Sequence, residues 1–462
     1  MTFNEFNFHK ELLKGIRIAG FREPSPIQKE VIPIIQNGED LVAQAHTGTG
    51  KTAGFGLPII DKIANENIER ALVITPTREL ATQVSDELYY LGRFCGIRTI
   101  AIYGGVGYGR QIALINKGVQ IVVATTGRLK DLYKKGKIDN FNPEIVVLDE
   151  ADEMLDMGFL DEIKEIFEYI PQNRQTLLFS ATIPEPIKAL ADEILSNPKF
   201  ISVVGKDKST TNNIIKQQYY VINESQRDEA IIRLLESENI KKSLIFCRMK
   251  KEVDRLSEYL QALGFNAKGI HGDLEQNERD EVIKAYRRNE IQILVATDVA
   301  ARGLDIKQVT HVFNYHIPFD PQSYVHRIGR TGRAGREGKA ITLVSTNEFR
   351  ELQRIKKEVG ANMQLATIEI ESNSLDNQTN FSILEKMVRE VTIDELAIDF
   401  IDSMEDMNYH EFVEKVVTIL LKENYSKTIT IGYDKESVKS MLDEYQDKQK
   451  VARQSNRSKK RR

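Results

Sequence analysis

Short runs of Val, Ile, Leu and Ala recur along the first two hundred residues, at 40–43, 71–75, 98–103, 120–124, 145–148 and 175–179, with amphipathic helical stretches between them. Runs that are apolar at successive rather than alternate positions suit strands covered on both faces. The alternation therefore predicts a parallel sheet with helices on either side. It breaks at the polar stretch 207–213, which reads as a linker. It then starts again at 217–222, 243–247, 267–270, 291–296, 311–314 and 339–343, as if the fold were repeated. Two tandem α/β domains, 1–206 and 214–362, are expected. Beyond them the apolar residues keep helical spacing, from Ile383, Leu384, Met387, Val388 and Val391 through Leu396, Phe400, Ile401 and Met404 to Phe412, Val413, Val416, Val417, Leu420 and Leu421. Residues 427–431 read as a strand and 434–449 as a last helix.

Composition adds little to that picture, and charge adds more. With 41% hydrophobic and 29% charged residues the 462-residue chain resembles an ordinary soluble protein, and no apolar run approaches the length of a membrane span. The first residues lack the basic start and apolar stretch of a signal peptide, so the cytoplasm is the expected compartment. Cys95 and Cys247 are far apart in sequence and offer neither a disulfide framework nor a zinc cluster. The net charge of −4 does not advertise a polyanion binder, but its distribution does: from Lys448 to Arg462 there are eight Lys/Arg and no acid. The extension at 363–447 has the opposite sign, with ten acids against three bases between Glu385 and Lys415. An acidic helical module is a poor surface for a polyanion and suits packing or homodimer formation. The basic tail at 448–462 cannot bury a core and would add affinity for a polyanion.

The candidate chemistry sits at two strand ends. After the run at 40–43 comes Ala45-His46-Thr47-Gly48-Thr49-Gly50-Lys51-Thr52. It matches the phosphate-loop pattern from its fifth position on, with Ala45 where the first glycine usually stands. The glycines let backbone N–H groups turn toward an anion at a helix N-terminus, Lys51 reaches the β/γ phosphates of ATP, and the Thr52 hydroxyl takes a Mg2+ position. The second is Asp149-Glu150-Ala151-Asp152, directly behind 145–148. Asp149 stands where phosphate-loop ATPases hold Mg2+ through water, and Glu150 is the natural group to orient or deprotonate the attacking water. The second domain has no Gly-Lys-Thr after its first strand, so one nucleotide site per chain is expected. His326-Arg327-Ile328-Gly329-Arg330-Thr331-Gly332-Arg333 supplies arginines of the kind that stabilise a transferring phosphoryl group.

Gly20-Phe21-Arg22-Glu23-Pro24-Ser25-Pro26-Ile27-Gln28, the phosphate loop, Pro76-Thr77-Arg78-Glu79-Leu80, Gly104-Gly105, Asp149-Glu150-Ala151-Asp152 and Ser180-Ala181-Thr182 follow in the order of the DEAD-box RNA helicases. The chain resembles that family, and among its bacterial members the cold-shock type with a short helical C-terminal extension. The resemblance implies two RecA-like parallel-sheet domains, a mainly helical extension and a basic tail, and ATP and Mg2+ as ligands. By the same likeness Phe21 stacks on adenine and Gln28 reads its edge, while Thr47, Gly48, Thr49, Gly50, Lys51 and Thr52 cradle the phosphates and Asp305 holds the ribose. Arg330 and Arg333 become arginine fingers. Ser180 and Thr182, with Asp152 and His326, couple hydrolysis to strand separation. Arg78, Gly105, Thr125, Arg128, Gly272, Arg279 and Thr297 become contacts to the RNA backbone, with His271, Asp273 and Gln276 in the same blocks. Such contacts position RNA without reading its sequence.

One position departs from the family, which usually has Pro where this chain has Thr126. Proline suits the first turn of a helix, whereas threonine can cap one. The function implied is RNA-dependent ATP hydrolysis, with two lobes closing on ATP and RNA and opening a duplex locally. An ATP-gated RNA clamp with slow turnover and a DNA translocase are the competing readings. The intact Lys51, Asp149, Glu150, Arg330 and Arg333 argue against the first, and the adenine-reading and Asp-Glu-Ala-Asp residues against the second.

Overall fold

The computed structural model describes residues 1–45, 48–203, 215–238, 240–301, 309–332, 337–358, 361–368, 401, 408–426 and 431–445. Its strands form two parallel sheets of seven. The first holds β1 (Leu41–Gln44), β2 (Ala71–Thr75), β3 (Thr99–Ile102), β4 (Ile121–Thr125), β5 (Ile145–Asp149), β6 (Gln175–Ser180) and β7 (Lys199–Ser202), in the order β3-β4-β2-β5-β6-β1-β7. The second holds β8 (Ile215–Ile222), β9 (Ser243–Cys247), β10 (Ala267–Ile270), β11 (Ile293–Thr297), β12 (His311–Asn314), β13 (Gly338–Ser345) and β14 (Gln364–Leu365), in the order β10-β11-β9-β12-β13-β8-β14. Adding seven to each strand number of the first order gives the second. The two sheets are one topology used twice, and each is a RecA-like domain.

The continuous apolar runs have the expected cause. In β2, β4 and β5 every residue but Thr125 is buried, and successive side chains enter different cores. Val73, Val123 and Val147 pack with Leu57, Ile60 and Val84 on one face. Leu72, Val122 and Val146 pack with Leu129, Ile163 and Leu190 on the other. Strands β7 and β14 were not expected from the sequence. Both lie at sheet edges, where half the strand's surroundings are not protein, and the Lys-Phe-Ile-Ser of β7 is correspondingly half-exposed. The pairing of β1 with both β6 and β7 is in register from Leu41 to Gln44.

By compactness the chain divides into Met1–Gln217, Ile240–Ile341 and Arg354–Asn362 on the one hand, and Gln218–Asn239, Thr342–Gln353 and Met363–Arg462 on the other. Within the second unit Arg227 is buried and bridges Glu224 at 2.7 Å and Glu348 at 3.0 Å. A helix at 435–445 meets the expectation of a last helix there. Val438 and the preceding Ile431 are buried, the Tyr433 N–H donates to the Val221 carbonyl at 2.9 Å, and Phe349 meets Tyr445 edge-on at 6.1 Å. The helix Tyr409–Ser426 is present and leaves Val413, Val417 and Ile419 exposed. The linker at 207–213, the apolar positions from Ile383 to Phe400, Met404, the strand positions 427–430 and the tail at 448–462 lie outside the described residues. No described helix is long and apolar enough to cross a membrane.

Candidate active site

Strands β5, β6 and β1 are neighbours, so the segments that follow them emerge side by side at one edge of the first sheet. Ligands of open parallel sheets collect at that edge. The loop after β1 is tied to β6 by the Ala45 N–H, which donates to the Ser180 carbonyl at 2.9 Å. It turns at Gly48 (φ 83°) and Gly50 (φ 88°) and enters the helix Lys51–Ala64. A side chain at Gly50 would be excluded twice: the backbone is left-handed, and a Cβ would lie 2.5 Å from Gln28 Nε2.

Gln28 closes the loop from behind. Its Nε2 donates to the Gly50 carbonyl at 3.0 Å and its Oε1 accepts from the Ser25 N–H at 2.9 Å. The residue predicted to read adenine therefore also holds the phosphate loop. Phe21, predicted to stack on the base, is braced edge-on by Phe3 at 6.1 Å. Phe3, Phe6 and Phe8 are all buried in the first core. That aromatic segment went unremarked in the sequence, although Phe3, Phe6 and Phe8 are plain to see there.

Lys51 is 6% and Asp149 3% exposed, and neither Lys51 Nζ nor Asp149 Oδ1 has a hydrogen-bond partner among the described residues. A buried ammonium and a buried carboxylate oxygen are expensive unless paired. A nucleotide phosphate on Lys51 and a divalent cation on Asp149 and Thr52 would satisfy both, so the residues present fit ATP and Mg2+. Burial pushes the Asp149 carboxyl above the usual range, against the pull of the Lys51 charge. Glu150 is pushed up to about 7, first by burial; Lys51 opposes, Asp149 adds to the rise, and Arg330 is near enough to oppose it as well. Glu150 also has a left-handed backbone, φ 56° and ψ 52°, just before the helix Ala151–Asp156. A glutamate in that conformation is strained, as residues at functional sites often are.

Asp152 is fixed from the end of β6. Its Oδ2 accepts from the Thr182 N–H at 2.9 Å and the Thr182 hydroxyl at 3.1 Å, and its own N–H donates to Ser180 Oγ at 3.1 Å. The Ser180 hydroxyl donates onward to the Thr182 carbonyl at 2.6 Å. His326 lies 2.5 Å from Glu153 by its Nδ1. Burial lowers the affinity of His326 for its second proton, but the Glu153 hydrogen bond and charge, with Asp152, outweigh this and hold it above its ordinary value. Glu153 had no role in the sequence expectation, and Arg327 stood there only as one arginine of the 326–333 run. Arg327 is 2% exposed and grips Asp298 with two bonds, of 2.5 and 2.7 Å, while its remaining nitrogen donates to Asn314 Oδ1 at 3.2 Å and the His316 carbonyl at 2.8 Å. It holds β11's end to β12's end, and among the described arginines of the run Arg330 is the one whose charge reaches Glu150. Thr47, Asp305 and Arg333 lie outside the described residues.

Of the residues expected to meet RNA, Arg78, Thr125, Arg128, Gly272 and Arg279 line one cleft of about 510 Å3, and Gly105 and Thr297 are not in its lining. Arg78 donates to Gln276 Oε1 at 2.6 Å, and Arg279 pairs with Glu79 at 2.6 Å. Gly105 (φ 85°) lies under Arg78, where a Cβ would come within 2.5 Å of the guanidinium. Arg128 donates to Gln111 Oε1 at 3.0 Å and the Val106 carbonyl at 2.8 Å. Thr297, the last residue of β11, is buried and is not among the cleft's lining. Thr126 is the first residue of the helix Thr126–Lys134 and is buried, and Thr125 before it makes no side-chain cap. Threonine thus does not cap this helix; it occupies the first-turn position that proline takes in the family.

Two family models match the chain: the DEAD/DEAH box helicase model over residues 25–190 and the helicase conserved C-terminal domain model over residues 226–335. The DEAD-box ATP-dependent RNA helicase RhpA of Helicobacter pylori is 50% identical over 367 residues, covering 79% of this chain and 74% of the relative. The DEAD-box ATP-dependent RNA helicase CshA of Geobacillus kaustophilus is 42% identical over 429 residues, covering 93% and 88%. Among solved structures, S. cerevisiae Dbp5 bound to RNA and ADP BeF3 superposes with a TM-score of 0.72 at 32% identity, covering 84% of this chain and 98% of that one. Mss116p bound to ssRNA and AMP-PNP gives a TM-score of 0.72 at 28% identity, covering 87% and 85%. With half of its aligned residues shared with one such enzyme over most of both chains, this protein belongs to the DEAD-box ATP-dependent RNA helicase family.

Proposed function

We propose that the protein is an RNA-dependent ATPase that locally opens RNA duplexes and remodels RNA–protein complexes by closing two domains on ATP and RNA. The observation that carries this reading is the pair of buried, unpartnered atoms Lys51 Nζ and Asp149 Oδ1, set beside a Glu150 carboxyl that titrates near neutrality. In this reading residues 1–206 bind ATP, 207–213 link, 214–362 bring the arginines, 363–447 form a helical module and 448–462 a basic tail.

Phe21 and Gln28 hold adenine, Thr47 to Thr52 the phosphates and Asp305 the ribose. Thr52 and Asp149 would hold Mg2+. The ion would neutralise charge on the β- and γ-phosphate oxygens. Lys51 neutralises the same oxygens from the loop. Glu150 accepts the proton of the attacking water as the water oxygen bonds to the γ-phosphorus and the bond to the ADP oxygen breaks. A base titrating near 7 is matched to that task at neutral pH. Arg330 and Arg333 stabilise the transferring group, and because they belong to the second domain, hydrolysis requires closure. The hydrogen bonds from Ser180 and Thr182 to Asp152, and His326 to Glu153, would pass the state of the site to the RNA side. Arg78, Gly105, Thr125, Arg128, Gly272, Arg279 and Thr297 grip the sugar–phosphate backbone, and contacts to the 2′-hydroxyl would favour RNA over DNA.

The exposed Val413, Val417 and Ile419 support a homodimer through 363–447. Light scattering of the full chain against a truncation ending at Gly360 tests this, and equal monomer masses exclude it. The eight cations of the tail support added RNA affinity at low salt, and a cytoplasmic location accompanies the reading. Phosphate release with RNA, matched DNA and no nucleic acid tests the whole: RNA stimulation alone is expected, and equal rates in all three overturn it.

A further inference from the structure

At the carboxyl end of the second sheet two large apolar side chains face solvent among cations. β9 ends at Cys247 and continues into Arg248, Met249, Lys250 and Lys251, and its sheet neighbour β12 ends at Asn314 and continues to Phe319. Met249 is 60% and Phe319 63% exposed. Phe319 is nonetheless held: the Arg248 guanidinium lies 4.1 Å from its ring centroid and is itself pinned by a 2.5 Å hydrogen bond to the Ile317 carbonyl. The neighbouring acids are engaged elsewhere. Asp320 caps the helix Pro321–Ile328 by accepting from the Ser323 N–H at 2.7 Å, and Glu252 accepts from the Met249 N–H at 3.2 Å and meets His316 Nε2 at 2.7 Å. Lys250 pairs with the exposed Asp273 at 2.5 Å. One ring face is backed by the Arg248 guanidinium, and Lys250 and Lys251 follow in the same segment.

This surface continues the RNA track. β9 pairs with β11 so that Cys247 stands opposite Thr297, and Lys250 Nζ comes within 3.9 Å of where a Cβ on Gly272 would be. In the strand order β10-β11-β9-β12 the segments after Gly272 and Thr297 are followed by Arg248–Lys250 and then by Phe319, which Arg248 contacts. Aromatic faces beside cationic grooves are where single-stranded bases stack, because every base has a π-face and the contact needs no particular sequence. An apolar surface for a protein partner would not call for the flanking cations.

We propose that Phe319, backed by Arg248 and flanked by Met249, is a stacking platform for one nucleobase just beyond the backbone-held stretch of RNA. The proposal rests on the RNA-remodelling reading above. It gives a core that otherwise grips only backbone one contact with a base, and the larger stacking surface of a purine would be preferred there.

The test uses the full-length protein with AMP-PNP and single-stranded RNAs of increasing length, each carrying 2-aminopurine at one position. Quenching at a single position is expected in the wild type and in Phe319→Tyr, and not in Phe319→Ala. Lengthening the RNA to include that position raises wild-type affinity about tenfold, a gain absent in Phe319→Ala and reduced in Met249→Ala. An abasic site at that position lowers wild-type affinity to that of Phe319→Ala and leaves the variant's affinity unaltered. Equal quenching and equal length dependence in wild type and Phe319→Ala overturn the platform. Loss of AMP-PNP-dependent RNA binding in the wild type itself would instead overturn the underlying reading.

Discussion

Thr182 holds Asp152 with two hydrogen bonds from one residue, N–H at 2.9 Å and hydroxyl at 3.1 Å, so the last acid of the Asp149–Asp152 loop cannot move without the end of β6. Bonds to a carboxylate are worth about 1.5–3 kcal/mol each. Thr182→Ala removes one of the two and leaves the N–H in place. ATP hydrolysis is expected to fall only severalfold while duplex separation is lost; a strand-displacement assay run beside phosphate release checks it, and parallel losses in both would show that Thr182 is not a coupling residue.

As the proposed general base, Glu150 should make the activity depend on pH. Its carboxyl in the free enzyme is pushed up to about 7, so the base form, and with it kcat/KM for ATP, should rise through that pH and level off above it. Glu150→Gln should lose about two to four orders of magnitude in turnover while retaining AMP-PNP-dependent RNA binding.

The same shift has a stability consequence of opposite sign. A carboxyl raised from 4.5 to about 7 binds more protons folded than unfolded in that window, so it costs stability as pH rises through it. Glu150→Gln should therefore be the more stable protein in chelator without nucleotide, by up to about 3 kcal/mol above pH 7 and with no difference below pH 4.5. Denaturant midpoints of the two proteins across that range provide the measurement.

His326 should report its contact with Glu153 directly. Its raised affinity for a proton means the pairing stabilises the fold below the ordinary histidine value and is lost as pH climbs through the folded one. In Glu153→Gln the His326 resonance should titrate at lower pH than in wild type. With seven histidines in the chain the assignment by NMR is tractable, and an unmoved titration would remove the contact from the account.

Arg327 is structural. Replacing it with Ala removes two bonds to Asp298 and one each to Asn314 Oδ1 and the His316 carbonyl, at a cost of about 3–5 kcal/mol. Lysine cannot reproduce the planar fork and should rescue little. Thermal unfolding of the two variants, followed by circular dichroism, gives the comparison; wild-type stability in Arg327→Lys would show that charge alone suffices.

Much of this was legible in the chain because the relevant physics is local. A strand buried on both faces must be apolar at successive positions, so β2, β4, β5, β9 and β11 stand out as runs, and the repetition of the run pattern after 213 already told of a second copy. A phosphate loop recognises its ligand through its own backbone, which is why Gly48, Gly50 and Lys51 can be read from spacing. Edge strands such as β7 escape that logic because half of their surroundings are solvent.

What only the tertiary structure decided are pairings between residues far apart in sequence. Polarity marks His326, Glu153, Arg327 and Asp298 as charged or titratable but says nothing of which will meet which. The fold pairs His326 with Glu153, commits Arg327 to Asp298 and brings the charge of Arg330 to Glu150. Likewise Gln28 could be assigned a ligand from its motif, yet its hold on Gly50 and the brace of Phe3 on Phe21 exist only once helices and loops are packed. The sequence by itself determined the sheets, their repetition and the phosphate loop, because backbone geometry and two-sided burial write themselves into consecutive residues. Partnership among buried charges does not, because it depends on distances that only the assembled fold sets.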